Sequence, residues 1–230
     1  MLELETVVLT QGDFSLTGDF SVPDGARVAI LGPSGAGKST LIGAIAGFVP
    51  LSSGMIRWDG ARIDTRPPSL RPMSILFQDH NLLPHLSVFD NVALGLNPSL
   101  RLTRADRNAV MQAIEETGLH GLENRKPAQL SGGQISRAGL ARILLRAQPL
   151  ILLDEPFSAL GPALKSAMLD LVATIAERQG ATVLMITHDP EDARRLCPQT
   201  IVVADGRAEA LADTAALLQS PPPALAAYLG

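Results

Sequence analysis

The sequence predicts an α/β fold with a mostly parallel core sheet, an antiparallel β subdomain and a helical subdomain. Three observations predict it. The glycine-rich stretch Gly32 to Lys38 separates an apolar strand from a segment with helical spacing. Strand signals disappear between Ser87 and Lys126. From Arg142 onward, helix and strand patterns alternate, as in a parallel sheet with crossover helices. A chain of 230 residues buries roughly 70% of its unfolded surface, ample for one substantial core. Residues 1–230 are therefore expected to form one domain. About 87–126 are inserted in it as the helical subdomain, and 221–230 form an irregular C-terminal end.

Element by element, Leu2 to Leu9 and Phe14 to Val22 read as strands separated by the turn Gln11-Gly12-Asp13. Pro23-Asp24-Gly25 then turns into the apolar strand Val28 to Leu31. Ser39 to Phe48 has helical spacing at Leu41, Ile42, Ile45 and Ala46. Met55 to Trp58 and Met73 to Phe77 are short strands, with Trp58 read as packing. Ala105 to Thr117 places Ala109, Val110, Ala113 and Ile114 on one helical face. A helix through Arg142 to Arg146 follows, then strand Leu150 to Leu153, helix Ala163 to Arg178, strand Thr182 to Ile186, helix Pro190 to Leu196 and strand Thr200 to Val203. Pro221-Pro222-Pro223 argues against regular structure at the end.

Bulk properties exclude several roles. With 19 Lys and Arg against 23 Asp and Glu, the formal charge is −4, and there is no dense basic block to track a phosphate backbone, so no nucleic-acid partner is expected. Cys197 is the single cysteine, read as a buried or idle thiol. The start lacks a signal-peptide pattern and no stretch approaches the ~18 apolar residues that span a bilayer, so a soluble chain is expected. A hydrophobic fraction of 46% is on the apolar side for such a chain and leaves room for a docking surface.

The chemistry resides in three segments. Gly32-Pro33-Ser34-Gly35-Ala36-Gly37-Lys38-Ser39 satisfies G-x-x-x-x-G-K-[ST], with Thr40 following. Its glycines let backbone N–H groups converge on phosphate at a helix N-terminus, Lys38 reaches the terminal phosphates, and the Ser39 hydroxyl suits Mg²⁺. Leu150 to Leu153 deliver Asp154 and Glu155 to the carboxyl end of a buried strand, where open α/β sheets bind ligands. Asp154 is the second candidate metal ligand, and Glu155 the group to orient or deprotonate an attacking water. The alternative for this pair is an acidic turn after a strand. Ser131-Gly132-Gly133-Gln134 opens a helix whose free N–H groups suit an anion, the γ-phosphate of a nucleotide bound to another copy; the alternative is a glycine-rich cap.

In order along the chain, these segments resemble the ATP-binding subunits of ABC transporters. Gly32 to Ser39 resembles the Walker A motif, Gln78 the Q-loop glutamine, Leu130 to Gln134 the signature, Leu150 to Glu155 the Walker B motif with its catalytic glutamate, and His188 the H-loop histidine. The resemblance implies the ABC-ATPase variant of the P-loop NTPase fold, with ATP and Mg²⁺ as ligands. Glu155, His188 and Gln78 would be catalytic. The metal would sit on Ser39, Asp154 and Gln78, and nucleotide on Gly32 to Thr40 and on Ser131 to Gln134. It also implies a second copy of the chain, forming an ATP-sandwich dimer, an integral membrane permease subunit and, indirectly, a periplasmic solute-binding protein. The subunit would be peripheral on the cytoplasmic face of the cell membrane. His80, His85 and His120 have no such support and are read as surface or packing residues.

Arg71 to Leu83, Asn91 to Pro98 and Val202 to Arg207 are most similar to the branch of the family that powers import of thiamine and thiamine pyrophosphate. Importers of polyamine, iron, sulfate or molybdate, and soluble ABC ATPases without a transport role, are the alternatives. The chain ends soon after its last strand, which implies no C-terminal sensor. The apolar residues Leu82, Leu83, Leu86, Val88 and Phe89 are a candidate groove for a permease helix, or else lobe packing. Four departures from the family stand out. Ile135 replaces a polar or basic residue, Gly139 an alanine and Gly161 an aspartate that helps the two ATP sites communicate. No aromatic for adenine lies in Gln11-Gly12-Asp13, leaving Phe14 as the nearest candidate.

Overall fold

The computed structural model describes residues 1–77 and 82–229. In chain order the strands are β1 (Leu2–Gln11), β2 (Phe14–Val22), β3 (Arg27–Leu31), β4 (Ser53–Trp58), β5 (Ala61–Arg62), β6 (Met73–Leu76), β7 (Leu150–Asp154), β8 (Thr182–Ile186), β9 (Gln199–Ala204), β10 (Arg207–Ala208) and β11 (Ala212–Asp213). The helices are α1 (Lys38–Ala46), α2 (Val88–Ala93), α3 (Arg104–Glu116), α4 (Gly132–Arg146), α5 (Pro162–Gln179), α6 (Pro190–Leu196), α7 (Thr214–Gln219) and α8 (Pro223–Leu229).

Among the described residues the strands join in the order β5-β4-β1-β2-β10-β9-β3-β8-β7-β6, with β11 on β9. The run β9-β3-β8-β7-β6 is parallel throughout, whereas β1 pairs antiparallel with β2 and β4. This is the expected division into parallel core and antiparallel subdomain. The parallel strands are buried on both faces, so they read as apolar runs rather than alternating ones. Val28 and Ile30 of β3 enter the core beneath α1 and β1, while Ala29 and Leu31 enter the one beneath α5 and α6.

A third apolar cluster joins α2, α3 and α4 through Val88, Val92, Val110, Ile114, Ala138 and Ala141. The short helix α2 is set by the Ser87 cap, whose side chain accepts the Asp90 N–H. The Thr103 capping box similarly starts α3. Gly139 is buried within α4.

One expectation fails at the C-terminus. The stretch 221–230, expected to be irregular, contains a helix: Pro223–Leu229 form α8. Proline at a first helical position has no N–H to satisfy, and the Pro222 carbonyl accepts from the N–H groups of Leu225 and Ala226. Leu225 is fully buried in the core beneath α5. Cys197 is buried there too, and burial pushes its thiol up to about 12. His85 and His120 are exposed, as expected; His80 lies outside the described residues.

Candidate nucleotide site

The site follows from strand order. Because β3, β8 and β7 are adjacent and parallel, their carboxyl ends deliver Gly32 to Lys38, His188 and the Asp154-Glu155 pair to one edge of the sheet. An open cavity of about 620 Å³ lies there, lined by Gln11, Phe14, Ser34, Gly35, Gly37, Lys38, Ser39, Thr40, Glu155 and His188.

Two glycines of the loop are dictated by contact. A Cβ at Gly32 would overlap the Val203 carbonyl oxygen of β9, and one at Gly37 would stand 2.5 Å from Phe14 Cζ. Gly37, at φ 102°, also caps α1 without any side-chain bond, leaving the first N–H groups of that helix for an anion. Lys38 Nζ donates to the carbonyls of Gly32 (2.7 Å) and Pro33 (2.8 Å), which holds the loop around the space where phosphate fits.

Ser39 Oγ donates to Asp154 Oδ1 at 3.2 Å. Burial pushes the Asp154 carboxyl above the usual carboxylate range, reinforced by the neighbouring Glu155 charge and opposed by Ser39 and Lys38. Burial likewise lowers the Lys38 ammonium, with Glu155 and Asp154 opposing. Among the described residues no group of three or more His, Cys, Asp or Glu could hold a metal. A hydroxyl beside a half-buried carboxylate instead suits a hard cation completed by phosphate and water, and such a cation would return Asp154 to its charged form. The residues present therefore fit Mg²⁺. Gln78, the third expected metal ligand, lies outside the described residues.

Glu155 occupies a left-handed backbone conformation, φ 44°. Its N–H donates to Ile186 O (3.2 Å) and its carbonyl accepts from Ser158 Oγ (3.2 Å), so both flanks hold a turn that costs of order 1 kcal/mol or more. The turn brings Glu155 Oε2 to 3.3 Å from His188 Nδ1.

Ser131 to Gln134 stand apart from this cavity. Ser131 Oγ accepts from Gln134 N–H, and Gln134 Oε1 accepts the Ser131 N–H at 2.9 Å, forming a capping box. Ser131 and Gly132 are exposed. Gly133 is buried against α5, where a Cβ would overlap Leu164 Cδ2. The glycine-rich cap and the outward-facing helix start thus coexist. The cap accounts for Gln134, and Ser131-Gly132 form the accessible part.

Two further residues, read in the sequence only as the first residues of stretches carrying the branch resemblance, shape the site through tertiary contacts. Arg71, buried, donates to Ala44 O and Ile45 O at the end of α1 and to Asp64 O and Arg66 O. It thereby neutralises the negative end of the helix whose other end faces the cavity. Gly47 leaves room for that guanidinium. Asn91, fully buried, bonds to Leu83, Leu86 and Ser87 and fixes the turn before α2. The candidate groove after Gln78 divides: Val88, Leu82 and Phe89 serve the lobe's core and Leu83 is exposed. A more continuous apolar depression runs between Phe48, Met73, Leu94, Gly95 and α4, with Arg142 and Arg146 along it.

Fold and site together define a P-loop nucleotide-binding cassette. The sequence model of the ABC transporter family matches residues 17–158, and the chain belongs to that family. It is 57% identical to the thiamine import ATP-binding protein ThiQ of Cereibacter sphaeroides and 53% identical to that of Ruegeria sp., each over the full length of both chains. Among solved structures it is similar to a dimeric ATP-binding cassette in a post-hydrolysis state bound to ADP and Pi. The TM-score is 0.81 at 29% identity, covering 93% of this chain and 99% of that one.

Proposed function

We propose that this chain is the ATP-binding and ATP-hydrolysing subunit of a bacterial importer, with thiamine or thiamine pyrophosphate as the imported solute. The observation that carries the reading is the division of the site. One chain gathers Ser34, Gly35, Gly37 to Thr40, Glu155 and His188 around a cavity, with Asp154 bonded to Ser39, and leaves Ser131-Gly132 exposed elsewhere. Two copies head to tail would bring each exposed helix start onto the nucleotide held by the other. The dimeric relative bound to ADP and Pi supports this, and the identity to thiamine import proteins supports the solute.

In the proposed reaction the triphosphate enters over α1, and Lys38 exchanges its carbonyl partners for phosphate oxygens. Ser39 and Asp154 would hold Mg²⁺, which would supply neutralisation of phosphate charge. Glu155 takes a proton from water as the water oxygen attacks the γ-phosphorus and the bond to the ADP oxygen breaks. His188, beside Glu155, donates to the γ-phosphate and steadies the developing charge. Gln78 is proposed to bond the metal and the water. The depression at Phe48 and Leu94, edged by Arg142 and Arg146, is proposed to receive a permease segment, with the subunit proposed to be peripheral on the cytoplasmic face of the membrane.

The dimer is tested by light scattering on the Glu155→Gln chain. ATP should convert it from monomer to dimer, and Ser131→Arg should prevent this without abolishing ATP binding. A Ser131→Arg chain that dimerises normally contradicts the arrangement.

A further inference from the structure

Outside the nucleotide cavity, a bonded cluster of charged and polar side chains lies between α5 and α6. Lys165 Nζ donates to Asp189 Oδ2 at 2.7 Å and to Asp192 Oδ2 at 3.2 Å. Thr187 Oγ1 donates to Asp192 Oδ2 at 2.9 Å and accepts the Asp189 N–H at 3.1 Å. The side chains of Lys165 and Asp192 are 15% and 14% exposed. Attraction is stronger there than between surface charges.

His188 lies between Thr187 and Asp189, so both flanks of the residue beside Glu155 end on this one ammonium. We propose that Lys165 is a positioning residue for ATP hydrolysis, fixing His188 against Glu155 by tying Asp189 and Asp192 to the start of α5. The inference rests on the hydrolysis proposed above. Lys165 does not itself line the cavity; its action runs through the turn that carries His188. Without it, two partly buried carboxylates face each other with no shared cation, and their repulsion pushes Asp189, and His188 with it, off its present line. The residue before it, Leu164, packs on Gly133 at the start of α4. A shift of that helix start therefore reaches His188 through two consecutive residues of α5.

The test is steady-state ATP hydrolysis by the purified full chain with Mg²⁺, comparing wild type, Lys165→Met, Lys165→Gln and Lys165→Arg, with thermal unfolding on the same preparations. Misplacing a positioned group lowers turnover without weakening ground-state binding. Either neutral variant that folds should lose about tenfold in kcat with KM for ATP within about twofold, and Lys165→Arg should recover most of the loss. A neutral variant with wild-type kcat overturns the proposal. So does a kcat loss matched by an equal KM rise, or one that Lys165→Arg does not relieve. Glu155→Gln in the same assay separates the two readings: turnover that survives it contradicts Glu155 as the base, and with it the reading on which this inference rests, whereas turnover lost in Glu155→Gln but unchanged in the neutral Lys165 variants overturns the role of Lys165 alone.

Discussion

His188 Nδ1 stands 3.3 Å from Glu155 Oε2, across the carboxyl ends of the adjacent strands β8 and β7. The pair joins a carboxylate suited to take a proton with a ring suited to donate to phosphate, and neither comes from the loop proposed to cradle the triphosphate. Binding and turnover are therefore separable. Glu155→Gln should retain ATP affinity within about threefold while hydrolysis falls at least about a hundredfold, the scale of a lost general base. Equilibrium nucleotide binding and phosphate release, measured side by side, check this.

Phe14 lies under Gly37 and lines the cavity. A ring there offers a face to any base, since stacking tolerates base identity. Phe14→Ala should weaken ATP and GTP alike, by about tenfold, the lower end of what base stacking contributes. Isothermal titration with both nucleotides is the check. A strong ATP preference in wild type, lost in the variant, contradicts it.

Gly161 is the N-cap of α5, with no side-chain cap bond and open space where a Cβ would be. Aspartate fits this position and caps a helix better than glycine by a few tenths of a kcal/mol. Gly161→Asp should therefore raise the unfolding midpoint slightly and, by restoring the carboxylate usual in the family, raise turnover in the dimer. Unchanged turnover counts against a role for the missing carboxylate.

Arg71→Ala removes one buried guanidinium that serves four carbonyl groups. Leaving buried acceptors unpaired at the end of α1 should cost about 3 kcal/mol, a large part of the stability of a domain. Urea denaturation measures it; a loss below about 1 kcal/mol would show that water replaces the guanidinium freely.

The Lys165 ammonium beside Asp189 holds that carboxyl below the usual carboxylate range. A depressed carboxylate stabilises the fold above its unfolded value, and that contribution is lost as pH falls through the folded value. Stability should thus drop on acidification below the ordinary aspartate range, and Asp189→Asn should flatten that limb. Acid titration of the unfolding free energy follows it.

Most of the fold was legible because its signals are local. The parallel strands are continuous apolar runs, the loop at Gly32 punctuates strand and helix, and helical spacing marks α3 and α5. Placement of Asp154 and Glu155 at a strand end followed from the same reading, whereas His188 was singled out only by the family resemblance. What escaped is tertiary. Arg71 was read only as part of a stretch carrying the branch resemblance, yet it acts on a helix end 26 residues away at Ile45; the bonds of Lys165 exist only because α5 and α6 are neighbours. The proline run at 221–223 suggested disorder, whereas one of those prolines starts α8. Gly161 was visible as a departure, but its position as a helix cap was not.

The most direct measurement is ATP hydrolysis by the transporter assembled from this subunit and its permease in proteoliposomes, with and without thiamine-loaded solute-binding protein, alongside the same assembly carrying Glu155→Gln. The account predicts that thiamine-loaded binding protein raises hydrolysis several-fold and that Glu155→Gln abolishes it. Hydrolysis that ignores thiamine would contradict the assigned solute, and hydrolysis that persists in Glu155→Gln would contradict the motor built around Glu155 and His188.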